Sequence, residues 1–517
     1  MTELLQAPAT TRDGAWRGAA EVLIGNWTGT STVPSRSLYP HQWSWDSAFL
    51  AIGWRHLSPR RAQRELESLL GAQWGDGRVP HIVFNPSVPL GAYFPSPDFW
   101  RSSAAGAGRG APATVETSGI VQPPVHALAA LLVHEADPEI SRRRGFLTRL
   151  YPRLARWHDY LARRRDLGRG GLAAVVHPWE PGMDNSPCWD GPLARIEPAE
   201  PGTFRRADLD HGAATDRPTD LDYGRYVRLA AEYRDAGYDD AAAPHGFAVE
   251  DPNFNALFIA SEYALAEIAA EVGAAPAGHL ARAERLTRAL LDRLWDAEAG
   301  VFRCRDLHAG GDGLIPETSV AGLVPLIVPG LPGPVVDALL RTLTGPHFAL
   351  GDRTGLAPSY DLRGHAFDPS RYWRGPAWFN INWLIERGLR LQGVPERADA
   401  LRSAFLRSAA GSGYAEYVDP LTGEPRGARR FGWTAALTLD LLGSVSPTFA
   451  GPRRLARHLA ARPHRPSTSS TRAIRAHADA PSPKLSAPLE QGGTPSTPRP
   501  DPQRSERHPL AAGEEPR

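Results

Sequence analysis

The sequence predicts an all-α fold, on three observations. Roughly a dozen stretches with helical apolar spacing fall within about 440 residues, and few runs read as strands. LWDAEAGVF (294–302) and YVDPLTGEP (417–425) share the pattern Asp-x-x-x-Gly, a tight turn opening a short hairpin. Helices leading into such turns suit a toroid of helix pairs, and an open solenoid fits the same periodicity.

In chain order, helices are expected over 12–26, 45–56, 59–73, 123–136, 146–165, 222–236, 252–272 and 277–296. Further ones are expected over 316–328, 332–344, 374–393, 396–409 and 433–443. ASEYALAEIAAEVG (260–273) and LARAERLTRALLDRLW (280–295) repeat apolar residues at three- and four-residue intervals. Ser58-Pro59 and Pro252 supply helix starts, because proline in the first turn gives up only a donor that has no intrahelical partner. The tail from Pro452 has no aromatic residue and is rich in Pro, Ser, Thr and Arg. It buries too little apolar area to offset ordering entropy, so 452–517 is expected to be disordered and 1–451 to be one domain.

Charge excludes some functions. The tail carries 12 Lys+Arg against 6 Asp+Glu, which leaves the body 46 against 51. A net-negative body argues against nucleic acid as a partner. No apolar run is long enough for a membrane span. The N-terminus lacks the features of a secretory signal, and Cys188 and Cys304 read as two unpaired thiols in a reducing cytoplasm. The sequence has no HExxH motif, no calcium loop and no cysteine pair, so no metal or cofactor is expected. GAGRG (106–110) follows no strand and is not a nucleotide site. His41, His56 and His126 read as structural, whereas His81 lies in an aromatic, proline-bounded loop.

The connections carry the chemistry. All fifteen tryptophans lie before residue 434, many of them in YPHQWSWDSAF (39–49), YFPSPDFW (93–100), HPWEPGMDNSPCWD (177–190) and RYWRGPAWFNINW (371–383). RVPHIVFNP (78–86), VQPPVHA (121–127) and GYAEYVDPLTGEPRG (413–427) add histidine, glutamine, tyrosine and acids. Exposed loops avoid such aromatics unless they line a cleft. Sugars suit that cleft: their C–H faces stack on rings, and their hydroxyls pair with Asp, Asn, Gln, Arg and His.

Glycoside cleavage needs one protonated and one ionised carboxyl group. Asp184 fits the acid, set in a turn between Gly182 and Pro187, with Asn185 to hydrogen-bond it and Trp179 and Trp189 to desolvate it. Glu180 reads as a positioning or sugar-hydroxyl residue, and Asp190 as a turn residue. For the base, Glu416 stands ahead of the turn, and Asp419 and Glu424 flank it. Local chemistry favours Asp184 with Glu416 without closing the choice.

YPHQWSWDSAF, VQPPVHA, PGMDNSPCWD, YWRGPAWFNINW and EYVDPLTGEPRG, followed by FGWTAAL, together resemble glycoside hydrolase family 63, most closely its bacterial branch of mannosylglycerate and glucosylglycerate hydrolases. The resemblance covers roughly residues 12–445 in the expected order. It implies an (α/α)6 barrel and an inverting α-glycosidase, with Asp184 as general acid and Glu416 as general base. By motif it implies substrate contacts at Tyr39, Trp45, Asp46, His81, Gln122, Trp179, Gly182, Tyr372, Trp373 and Trp378. Tyr93, Arg217 and Tyr223 follow through segments of variable length, with Arg217 expected to pair with a glycerate carboxylate. The implied partner is a small sugar substrate. The rival readings are a trehalase or other α-glucosidase on the same barrel, and a non-catalytic sugar-binding protein. This chain departs from the pattern at Pro181, where the family usually has Ser; proline there removes a backbone donor beside the acid. Residues 101–113 and 191–218 read as long flexible loops over the cleft.

Overall fold

The computed structural model describes residues 9–210 and 214–443. The tail expected to be disordered, and the domain boundary at 451, lie outside the described residues.

Six helical segments follow one another around a closed ring: Ser44–Trp54, His126–Ala136, Pro252–Glu271, Val320–Ile327, Phe379–Leu391 and Gly432–Gly443. Each packs on the next, and the last packs on the first. An open solenoid would leave Ser44–Trp54 and Gly432–Gly443 at opposite ends, so ring closure decides between the two architectures left open by periodicity. Gly53 marks the closing seam: a Cβ there would lie 2.4 Å from Ala436 Cα, so only glycine lets the two helices approach this closely. Every residue of Ser44–Trp54 is buried, the polar Ser44, Asp46 and Ser47 included.

Outer helices back this ring. Ala9–Asn26 packs on Gly432–Gly443, Pro59–Gly71 on Ser44–Trp54, and Phe146–Arg164 on His126–Ala136 and Pro252–Glu271. Ala277–Leu294 also backs Pro252–Glu271, Gly333–Thr344 backs Val320–Ile327, and Pro395–Gly411 backs Phe379–Leu391. These outer helices carry the amphipathic stripes, with Arg and Glu on the solvent side. The two start signals are satisfied: Ser58 Oγ accepts from Arg61 N–H (3.4 Å), and Asp251 Oδ1 accepts from Phe254 N–H (2.7 Å). No helix among the described residues is long and apolar enough to cross a membrane.

Three expectations change. The stretch 316–328 forms a 3-10 segment, Val320–Ile327, with Pro325 inside it, because proline supplies no N–H for the α ladder. The helix expected from 374 starts at Phe379, since Ala377–Trp378 pairs with Tyr417–Val418 as a short strand. Residues 101–113 and the described part of 191–218 hold short helices, including Ser102–Ala105, Asp190–Ala194 and Ala207–Asp210. They are pinned by polar contacts such as Ser102 Oγ to Glu116 (2.7 Å) and Arg206 to Asp208 (2.8 Å).

Both Asp-x-x-x-Gly turns form hairpins. Trp295–Asp296 pairs with Val301–Phe302, and Tyr417–Val418 with Pro425–Arg426. In each, the glycine N–H returns to the aspartate carbonyl at 2.9 Å. The second hairpin, extended by Ala377–Trp378, delivers two of the sequence-derived site residues.

Candidate active site

At one end of the ring lies a cavity of about 500 Å³, including its open mouth. The N-terminus of helix Ser44–Trp54 enters it with Trp45 and Asp46. Its register is fixed by Ser44 N–H donating to His81 O (2.9 Å), and by Trp45 N–H donating to Gln122 Oε1 (3.1 Å). His81 N–H in turn donates to Ile120 O (2.8 Å), so three separate segments meet at one wall. His81 Nδ1 is buried with no hydrogen-bond partner, and burial lowers the His81 pKa to about 3. A neutral imidazole is thus left facing the cavity.

Asp184 sits on a turn held from behind. Gly182 N–H donates to Trp179 O (3.2 Å), Trp189 Nε1 to Met183 O (2.7 Å), and Tyr226 Oη to the Asp184 carbonyl (2.9 Å). These bonds leave the Asp184 side chain unused, and its carboxyl accepts from its own backbone N–H. Two sequence expectations are corrected here. Asn185 does not hydrogen-bond Asp184: its Nδ2 is buried without a partner, while its Oδ1 accepts from Trp373 N–H (2.8 Å) and ties the 177–190 loop to the 371–378 loop. Glu180 faces no sugar: it is fully buried, paired with Arg165 through two bonds of 2.7 and 2.8 Å, and accepts from Val121 and Val176 N–H. Asp190 opens helix Asp190–Ala194 and pairs with Arg374. Pro181 is accommodated because the turn bonds come from Glu180 N–H and Gly182 N–H on either side. Its carbonyl accepts from Asn253 Nδ2 (3.0 Å).

Glu416 enters just before strand Tyr417–Val418. Its Oε2 accepts from Ala428 N–H (2.9 Å), and its Oε1 from Tyr39 Oη (2.9 Å) and Tyr372 Oη (3.4 Å). Asp419 caps the hairpin turn through Leu421 and Thr422 N–H, and Glu424 pairs with Arg426, so both are structural. Tyr372 adopts φ +39°, a strained left-handed conformation that such sites tolerate. Trp378 lies between Trp373 (ring centroids 3.9 Å apart) and Tyr417 (4.4 Å), a stacked aromatic wall.

Burial, countered by Arg217 and reinforced by Glu416, raises the Asp184 pKa to about 7. Burial also raises Glu416, against the pull of Arg217, Ala428 N–H and the two tyrosine hydroxyls. Asp46 is pushed well up by burial and by the charges of Glu416 and Asp184. Three carboxyl groups in one cleft cannot all ionise cheaply, so at least one keeps its proton near neutrality.

Of the sequence-derived residues, Tyr39, Trp45, Asp46, His81, Tyr93, Gln122, Trp179, Gly182, Asp184, Tyr372, Trp373, Trp378 and Glu416 line the cavity. Arg217 stands behind this lining, its Nη1 donating to Tyr39 Oη (3.1 Å) and its guanidinium 4.8 Å from the Tyr372 ring. Tyr223 is a second step back: its hydroxyl donates to Phe94 O (2.9 Å), and its ring packs on Trp179 and under Arg206. Pro34, Trp43, Phe431 and Trp433 also line the cavity. Trp43, Phe431 and Trp433 were visible in YPHQWSW and FGWTAAL, whereas Pro34 carried no signal. Among the described residues no group of three or more His, Cys, Asp or Glu side chains is arranged to hold a metal ion. Cys188 and Cys304 are free and buried.

Residues 39–434 match the family model described as the mannosylglycerate hydrolase MGH1-like glycoside hydrolase domain. The chain is 42% identical to a mannosylglycerate hydrolase from Rubrobacter radiotolerans, over 82% of this chain and 96% of that protein. It is 41% identical to a glucosylglycerate hydrolase from Mycolicibacterium hassiacum, over 82% and 97%. A crystal structure of the family 63 mannosylglycerate hydrolase from Thermus thermophilus with Tris and D-glycerate superposes with a TM-score of 0.75. It shares 38% identity and covers 82% of this chain and 99% of that one.

Proposed function

The chain belongs to the mannosylglycerate hydrolase MGH1-like glycoside hydrolase family, and from that premise we propose that it hydrolyses α-glycosides of glycerate, mannosyl or glucosyl, with inversion. The observation that carries this reading is Arg217. It is buried, and among the described residues no carboxylate lies within ion-pairing distance of it. Glu416 lends it charge from a longer range, yet Arg217 forms no direct ion pair, and a buried guanidinium is stabilised further by one. A substrate that brings its own carboxylate to this end of the cleft supplies the missing partner by a bidentate contact.

The chemistry follows from the two carboxyl groups. A water held by Glu416 attacks the anomeric carbon and gives its proton to Glu416. The bond from that carbon to the aglycone oxygen breaks as Asp184 delivers its proton to the leaving glycerate. A pKa of about 7 keeps much of Asp184 protonated near neutrality while leaving it a competent donor. Trp45, Asp46, Gln122, Trp179, Gly182, Trp373, Trp378 and the neutral His81 would take the sugar, with Tyr93, Tyr372 and Arg217 toward the aglycone. The ring of six inner segments backed by six outer helices supports reading the scaffold as an (α/α)6 barrel.

The test is sugar release from mannosylglycerate, glucosylglycerate and trehalose, followed by proton NMR of the first product. Release from a glycosylglycerate with the β anomer appearing first is expected. Cleavage of trehalose alone, or an α product, would overturn the reading.

A further inference from the structure

The acceptor carboxylate of the site is wired to the guanidinium behind it. The Tyr39 hydroxyl has one proton, and it goes to Glu416 Oε1 (2.9 Å). The same hydroxyl oxygen accepts from Arg217 Nη1 (3.1 Å) and lies 3.1 Å from Tyr372 Oη. The donors therefore run one way, from guanidinium to phenol to carboxylate, and such chains polarise each link. We propose that Tyr39 is a positioning residue that reports to Glu416 whether Arg217 holds an anion, so that capture of an acidic aglycone strengthens the base. This rests on the glycosylglycerate reading given above.

The physical reasoning is electrostatic. Glu416 is faced by Tyr39 from the loop before helix Ser44–Trp54, by Asp46 from that helix and by Asp184 from the acid loop. Tyr372 faces it from the 371–378 loop, Ala428 N–H from beyond the hairpin, and Arg217 through Tyr39. Arg217 is the cation in this set, and it opposes the upward push of burial on Glu416 more than any other neighbour does. An aglycone carboxylate on Arg217 cancels that charge and draws its N–H groups away from Tyr39. The Tyr39 hydroxyl then donates less strongly, and Glu416 holds a proton more tightly. A glycoside with a neutral aglycone meets the weaker base, so selectivity for an acid enters turnover as well as binding.

The experiment is a pH titration of the Glu416 side-chain carboxyl by 13C NMR in the full-length protein labelled at glutamate Cδ. The resonance is assigned by its loss in Glu416→Gln, and D-glycerate is the probe. In the unsubstituted protein, saturating D-glycerate is expected to raise the Glu416 midpoint by on the order of one pH unit. In Tyr39→Phe and in Arg217→Gln the midpoint should start higher; D-glycerate should move it no further in Arg217→Gln, and in Tyr39→Phe by less than half the shift of the unsubstituted protein, because only the through-space cancellation of the Arg217 charge remains. An unmoved midpoint with D-glycerate bound by calorimetry, or a full shift retained in Tyr39→Phe, overturns the relay. Failure of D-glycerate to bind at all counts against the glycosylglycerate reading instead. The relay is then judged on the unliganded variants, and midpoints equal to that of the unsubstituted protein overturn it. Arg217→Lys serves as the second variant, since it keeps the charge while losing the planar fork.

Discussion

Asp184→Asn should remove catalysis and stabilise the fold, and the gain should depend on pH in a defined way. In the folded chain burial holds the Asp184 pKa at about 7, against an ordinary value of 3.8. Between these two pH values the folded state binds more protons at this site than the unfolded state, so stability falls as pH rises through the window. Below about 4 both states are protonated and the substitution changes little; above about 7 the folded protein carries the full cost of a buried carboxylate. A shift of some three units corresponds to about 4 kcal/mol. Asp184 is partly open to the cavity, which brings the expectation down to about 2–4 kcal/mol. For a folded body of roughly 430 residues the unfolding entropy is about 0.9 kcal/mol per degree, so the melting temperature should rise by about 2–4 °C. The assay is thermal unfolding of both proteins at pH 4, 6 and 8, alongside turnover. Turnover should fall by about 10²–10⁴-fold. A melting difference that is the same at pH 4 and pH 8 would refute the reasoning, because an uncharged packing effect has no such slope.

Three further expectations can be checked the same way. The pH profile of kcat/KM should be a bell whose alkaline limb falls near 7 as Asp184 loses its proton. Its acid limb, set by protonation of Glu416, should lie above the ordinary glutamate range; activity undiminished at pH 9 would exclude Asp184 as the donor. Gly182→Ala places a Cβ 2.5 Å from Trp45 Cζ2 at φ +73°. It should cost about 1–2 kcal/mol in backbone strain and lower kcat/KM by at least about tenfold, and near-normal kinetics would show that Trp45 has room to retreat. Arg165→Met strips the buried Glu180 and Asp240 of their shared cation. Chemical denaturation should show a loss of about 3–5 kcal/mol, whereas a neutral result would mean that Arg78 and the backbone donors suffice for these acids.

The helices were legible because helix formation is written locally. Apolar spacing and start signals placed most of them, and the 3-10 segment at Val320–Ile327 escaped because its continuous apolar run hides the period while Pro325 breaks the ladder. The site was legible to the extent that its chemistry travels in short motifs: Asp184 with Gly182, and Glu416 ahead of its hairpin turn. Its wiring was not. Asn185 next to Asp184 in sequence bonds Trp373 instead, and Glu180, which reads as a positioning or sugar-hydroxyl residue, is paired with Arg165 away from the cavity.

The sequence by itself determined the helical composition, the aromatic and acidic loops and the family resemblance, and through that resemblance it singled out Asp184 and Glu416 as candidates. Ring closure decided which groups meet. Tyr39 reaches Glu416 across 377 positions, and Arg217 reaches Tyr39 across 178. The physical reason is the range of the forces involved. Helical periodicity is set by neighbours three and four residues apart, whereas a proton affinity is set by whichever charges and donors lie within a few ångströms, wherever they stand in the chain.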